Sequence, residues 1–129
     1  MGKQLLYSTS QENGFNKGLN LIKGNVNILS NKKKTILPNV GWKKIFIKKN
    51  ISSNFSFLTK FNGKSFYFIH SYTGIPHYKN NILSISRFEN KKFCSIVSNN
   101  KNIIGTQFHP EKSSVIGLKF LDTVIKKLA

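Results

Sequence analysis

Acidic residues are nearly missing from this sequence. Among 129 residues only Glu12, Glu89, Glu111 and Asp122 carry a carboxyl group, against 21 Lys and Arg. Cysteine is almost as scarce. A single one, Cys94, excludes an internal disulfide framework and a multi-cysteine zinc site, and it suits a reducing compartment. Three prolines form no Pro-rich linker, and there is no collagen-like or repeated tract. No apolar run approaches the ~18–20 residues that span a bilayer. The stretch from Met1 to Tyr7 lacks the apolar core and cleavage site of a secretory signal, and Leu6 stands where a myristoylation signal needs Ser or Thr. The expectation is a soluble cytoplasmic protein of one domain at most, with a single core and no membrane partner.

What is abundant is lysine. The formal charge is +17, yet Arg87 is the only arginine. Specific readers of bases and phosphates favour the planar arginine fork, which bonds two acceptors at once. The lysines are scattered, some singly and others in pairs and one triplet, without the interleaved aromatics of a single-strand stacking groove. They read as solvated faces, with weak nonspecific binding at low salt and no specific nucleic acid. A basic nucleic-acid binder is the lowest-ranked alternative. Against this background each remaining carboxylate is a candidate for required chemistry.

The hydrophobic pattern predicts a strand-rich chain. Residues 2–9 suggest a short helix, broken by Gly14 and Gly18. Gly24 reads as a turn before a strand at Val26–Ile28, and Pro38–Gly41 as a turn before a strand at Trp42–Ile47. Asn62-Gly63 is a hairpin signal ahead of a strong strand, Ser65–Ile69. Three further strands are expected at Ile82–Ile85, Phe93–Val97 and Ile103–Phe108, the last two pairing across a polar turn at Asn99–Asn102. The tail reads as a helix capped by Ser113 or Ser114, with Leu118, Leu121, Ile125 and Leu128 near one face and Lys126 and Lys127 favourably placed in its last turn. The strands outnumber the helices, so the sheet is expected to be mixed or the domain partial.

The segment richest in chemistry is Gly105-Thr106-Gln107-Phe108-His109-Pro110-Glu111-Lys112-Ser113. A strand ends at His109, and Pro110 prevents the ladder from continuing. In an extended segment positions i and i+2 project to the same side, about 6.5 Å apart. Glu111 can then accept the Nδ1–H of His109, fix its tautomer and leave Nε2 free as a base. A His-x-Glu alone is better explained by a surface histidine beside an acid.

The longer string Gln107–Ser113, followed by Gly117-Leu118 and Phe120-Leu121, closely resembles the end of the class I (triad) glutamine amidotransferases. Lys112-Ser113 after the glutamate resembles the branch of glutaminase subunits that serve imidazole glycerol phosphate synthases. Gly2–Leu6, Gly18–Val26, Pro38–Trp42 and Tyr67–Tyr72 agree with that branch in order and rough spacing, while Lys43 and Arg87-Phe88-Glu89 depart from it. The resemblance implies an α/β fold, the C-terminal part of a flavodoxin-like amidotransferase domain, occupying residues 1–129 as a strand-rich mixed sheet with a terminal helix. It implies hydrolysis of glutamine by a cysteine that forms a thioester and releases ammonia, with His109 as base and Glu111 as its orienter. Gln4, Glu12, Ser71 and Tyr72 match positions that hold the glutamine, Glu12 by meeting its α-ammonium group. No cofactor and no metal are implied. The implied partner is a cyclase subunit, a (β/α)8 barrel, in a heterodimer that makes imidazole glycerol phosphate for histidine biosynthesis.

The same resemblance places the nucleophilic cysteine immediately before Met1, in the elbow Gly-x-Cys-x-Gly-x-Gln. The chain is therefore expected to lack that thiolate, an oxyanion-hole amide fixed by a preceding peptide, and roughly a third of the doubly wound domain. Alone it is expected to be inactive and poorly stable or aggregating. Cys94, inside a strand with no glycine elbow, reads as a structural thiol. Two alternatives stand beside the leading one: a glutaminase paralogue for sugar or polysaccharide amination, and an inactive remnant that only docks on the synthase.

Overall fold

The computed structural model describes residues 7–10, 16–17, 22–29, 39–100 and 103–128. Its strands are β1 Tyr7–Ser10, β2 Asn16–Lys17, β3 Ile22–Ile28, β4 Asn39–Lys44, β5 Phe46–Ile47, β6 Ser65–His70, β7 Tyr72–Pro76, β8 Ile82–Phe88, β9 Lys91–Ser98 and β10 Ile104–Thr106. A 3-10 helix covers Ser53–Phe61, and α1 covers Ser114–Leu128. Strands β2-β1-β3-β7 form a mixed sheet in which β1 and β3 run parallel. Strands β10-β9-β8-β5 form an antiparallel sheet, and β4 pairs with β6 as a ribbon. The arrangement is strand-rich and mixed α/β with a terminal helix, as expected. Among the described residues no helix is long and apolar enough to cross a membrane.

Strand β6 organises the molecule because its sequence alternates. Phe66, Phe68 and His70 point inward and are buried, while Tyr67 and Ile69 face outward. Phe66 and Phe68 enter an aromatic core shared with Phe61, Phe93, Phe108 and Phe120. The Phe66 and Phe108 ring centroids lie 4.4 Å apart, and Phe120 packs edge-on against Phe61, Phe66 and Phe108 at 5.2–5.6 Å. Such tilted and edge-to-face pairs add to the burial of large apolar area.

Several local expectations give way to tertiary pairing. The helix expected over 2–9 is a strand where it is described: Tyr7–Ser10 pairs with β3, because Tyr and Thr suit a pleated strand and Ser competes with a helical backbone. Gly24 makes no turn; β3 runs through it in continuous register with β7, Gly24 opposite Pro76 and Ile28 opposite Tyr72. Asn39–Gly41 is likewise strand, paired with His70–Phe68, and Gly41 supplies the positive φ of +131° that this path requires. Asn62-Gly63 turns the chain from the 3-10 helix into β6 rather than joining two adjacent strands; Asn62 Oδ1 accepts the Ile47 N–H at 2.9 Å. The last expected strand is shorter, Ile104–Thr106, but it pairs with β9 as anticipated.

Helix α1 also turns a different face inward. Gly117 and Phe120 are buried and Ile116 and Val124 pack partly against the core, whereas Leu118 and Ile125 are 65% and 63% exposed. The helix carries apolar residues around more than one side, so spacing alone does not choose between them. Packing does: Phe120 fills the aromatic core, and a Cβ at position 117 would collide with the Pro110 carbonyl and come within 2.8 Å of the Ser113 Cβ.

Candidate active site

The segment after β10 crosses from one sheet to the ribbon. Gln107 N–H still donates to Ser95 O of β9 at 2.9 Å, and two residues later His109 N–H donates to Tyr67 O of β6 at 2.9 Å. Between them Phe108, 2% exposed, is driven into the aromatic core. The residue that precedes the histidine is thus its anchor. Pro110 has no N–H to extend the strand, and Pro110–Lys112 folds into a single 3-10 turn closed by Lys112 N–H to His109 O at 3.1 Å.

That turn brings Glu111 back to the histidine. His109 Nδ1 lies 3.1 Å from Glu111 Oε1. The expected contact therefore forms, although through a turn at Glu111 rather than a fully extended tripeptide. An ionised carboxylate only accepts, so Nδ1 carries the proton and Nε2 is the open acceptor of the neutral ring. No described group bonds Nε2. The two side chains are 34% and 55% exposed. A pair this wet contributes little to stability, so its physical effect is to orient the ring and to supply negative charge beside it.

Ser113 departs from its expected role. Its side chain does not cap α1. The hydroxyl accepts the Tyr67 N–H at 2.9 Å and donates to His109 O at 2.6 Å, while its backbone carbonyl takes the Gly117 N–H at 3.1 Å. The sequence reading also missed Asn39. This residue stands opposite His70 in the ribbon, and its Nδ2 lies 3.0 Å from His70 Nε2. The other nitrogen, Nδ1, donates to Tyr72 O at 2.9 Å. Asn39 is fully buried although Val40 beside it is 48% exposed, so its role is set by the β4–β6 register and had no local signal in the sequence.

The other candidates divide. Ser71 and Tyr72 follow β6 directly. Ser71 O accepts the Leu29 N–H at 2.7 Å, and Tyr72 packs partly against the small cluster of Val26, Cys94 and Val97. Neither side chain bonds the His109–Glu111 pair: His109 is held at Tyr67 within β6, whereas Ser71 follows the end of β6 and Tyr72 opens β7. Gln4 and Glu12 lie outside the described residues. Cys94 is buried, as expected, and its thiol donates to Ile96 O at 3.2 Å. Among the described residues no group of three His, Cys, Asp or Glu side chains gathers to hold a metal ion.

The chain is similar to known proteins over nearly its whole length. The family model for class I glutamine amidotransferases matches residues 1–124. The chain is 40% identical over 121 residues to imidazole glycerol phosphate synthase subunit HisH of Pyrococcus furiosus, covering 94% of this chain and 59% of that protein. It is 38% identical to the HisH subunit of Sulfolobus acidocaldarius over 99% of this chain and 61% of the relative. The Thermotoga maritima HisH subunit is 35% identical over 98% of this chain and 55% of its own length. The chain thus spans between 55% and 61% of these relatives. The matched region takes in the β6 ribbon, His109, Glu111 and Ser113 together, and the chain belongs to the class I glutamine amidotransferase family.

Proposed function

We propose that residues 1–129 form part of a glutamine amidotransferase domain whose work is to release ammonia from glutamine for imidazole glycerol phosphate synthesis, in the histidine pathway and in the cytoplasm. The observation that carries this reading is the 3.1 Å bond from His109 Nδ1 to Glu111 Oε1, which leaves Nε2 as the open base. In the reaction a cysteine thiol gives its proton to Nε2, and sulfur attacks the side-chain amide carbon of glutamine. The imidazolium, balanced by Glu111, then protonates the departing nitrogen, so ammonia leaves and a thioester remains for water to hydrolyse. Cys94 is not the attacking group, since its sulfur is buried within β9. The nucleophile belongs to the elbow that precedes Gly2 in the family pattern. Ser71 and Tyr72, with Gln4 and Glu12, hold the glutamine.

The proposed partner is the (β/α)8 cyclase subunit. Supporting a partner is the outer face of the β4–β6 ribbon. Val40 is opposite Ile69 and Trp42 opposite Tyr67, so all four share that face. Val40, Trp42 and Ile69 are 48%, 51% and 41% exposed, and the Tyr67 backbone holds His109. An apolar patch beside the ammonia-releasing pair suits a subunit that receives ammonia. The experiment is ammonia release from glutamine with the cyclase present, measured on this chain and on a version extended upstream through the elbow cysteine. Activity in the extended chain that disappears in its His109→Ala variant is expected. Activity in the 129-residue chain would assign the nucleophile elsewhere, and none in the extended chain would leave a docking remnant.

A further inference from the structure

We infer that Ser113 is a positioning residue for His109, acting through a closed ring of three hydrogen bonds with the Tyr67 peptide. The inference rests on reading His109 and Glu111 as base and orienter.

The ribbon creates the need. Tyr67 pairs with Trp42 across β4–β6, yet both its N–H and its C=O point to the opposite edge. An open strand edge must find partners. The C=O takes the His109 N–H at 2.9 Å, and the N–H is taken by the Ser113 hydroxyl at 2.9 Å. The same hydroxyl donates to His109 O at 2.6 Å. One buried oxygen, 0% exposed, thus acts as acceptor and donor at once. The His109 backbone is held at its N–H by β6 and at its C=O by Ser113 and the Lys112 N–H. With both peptide groups fixed, the Cα–Cβ direction of His109 is fixed, and Glu111 needs to set only the ring rotation. Gly117 closes the arrangement from behind, because any side chain there would press on Pro110 and Ser113. Capping of α1 does not account for the serine side chain, as the bond to Gly117 comes from its backbone carbonyl.

The test uses His109 and His70 as reporters. In the upstream-extended chain labelled with [15N]histidine, long-range 15N–1H correlation reads each ring tautomer. His109 and His70 are both expected as Nδ1–H, facing Glu111 Oε1 and Tyr72 O. In Ser113→Ala the Nδ1–H fraction of His109 is expected to fall about two-fold or more, with His70 unchanged. Ser113→Thr, which keeps a hydroxyl, is expected to retain the His109 signature. An unchanged His109 in Ser113→Ala would overturn the inference. So would joint loss at His70 and His109, which would make Ser113 a residue of the fold alone, or equal loss in the threonine variant. The readout involves no glutamine. A failed glutaminase assay beside an intact serine effect rejects the functional reading only.

Discussion

Two histidines meet strand β6 three residues apart, His109 bound at Tyr67 and His70 ending the strand, and their surroundings agree in one respect only. Each directs Nδ1 at an oxygen, Glu111 Oε1 for His109 and Tyr72 O for His70. Beyond that they diverge. His70 is 8% exposed, its Nε2 faces the Asn39 amide, and its ring packs against Phe68 and Phe93 at 5.8 and 5.0 Å. Both nitrogens are engaged by neutral groups, so the ring is a strut between β4 and the start of β7. The His109 side chain is 34% exposed, no described group bonds its Nε2, and a carboxylate lies at its Nδ1. The same side chain is structural where neutral dipoles saturate it, and fit for proton transfer where one nitrogen is free and a charge stabilises the imidazolium.

The sharpest way to break this contrast is to remove what sets both rings, the aromatic core behind β6. Phe108→Ala deletes a ring that contacts Phe66, Phe68 and Phe120 and leaves a cavity next to His109. The expected loss is about 3–5 kcal/mol of unfolding free energy by denaturant titration. A loss below about 1 kcal/mol would mean that Phe108 does not anchor the His109 segment.

That core also shows what the sequence could reveal. The β6 alternation is visible in Ser65–Ile69, and the contact between His109 and Glu111 was legible from their spacing and the proline between them, while the role proposed for the pair came through family resemblance. Ser71 and Tyr72 were legible only through family resemblance. The face of α1 was not legible, because Val115, Leu118 and Ile125 compete with Ile116, Phe120 and Val124 until the steric demand at Gly117 settles the rotation. Nor were the roles of Ser113 and Asn39, since each depends on a partner 46 or 31 residues away. Local propensity reads Ser113 as a helix cap and Asn39 as part of a turn; pairing with β6 overrides both.

A smaller perturbation touches the buried histidine alone. Asn39→Ala leaves His70 Nε2 without its amide while keeping the β4–β6 backbone pairing. Loss of this amide contact to a buried ring is expected to cost about 1–3 kcal/mol by the same titration. Because the Asn39 Oδ1 is itself buried without a partner, part of the native desolvation cost is removed as well, which favours the lower half of that range. The His109 tautomer is expected to be untouched. A His109 change in this variant would mean that the two sites are coupled along β6 rather than independent.

The least change in stability, and the largest divergence from chemistry, belongs to Glu111→Gln. The side chain is 55% exposed and its one ion pair among the described residues is to a histidine that is also solvated, so unfolding free energy is expected to shift by less than about 1 kcal/mol. The glutamine oxygen still accepts the Nδ1–H, so the tautomer is kept. What it lacks is the charge that balances the imidazolium when Nε2 takes a proton. In the upstream-extended chain with the cyclase, ammonia release is therefore expected to fall by about 100-fold or more. Asn39→Ala and Glu111→Gln should thus move stability and turnover in opposite proportion. If Glu111→Gln instead destabilised the protein as much as Asn39→Ala did and left turnover intact, the carboxylate would be a fold element and His109 would have no claim to be the base.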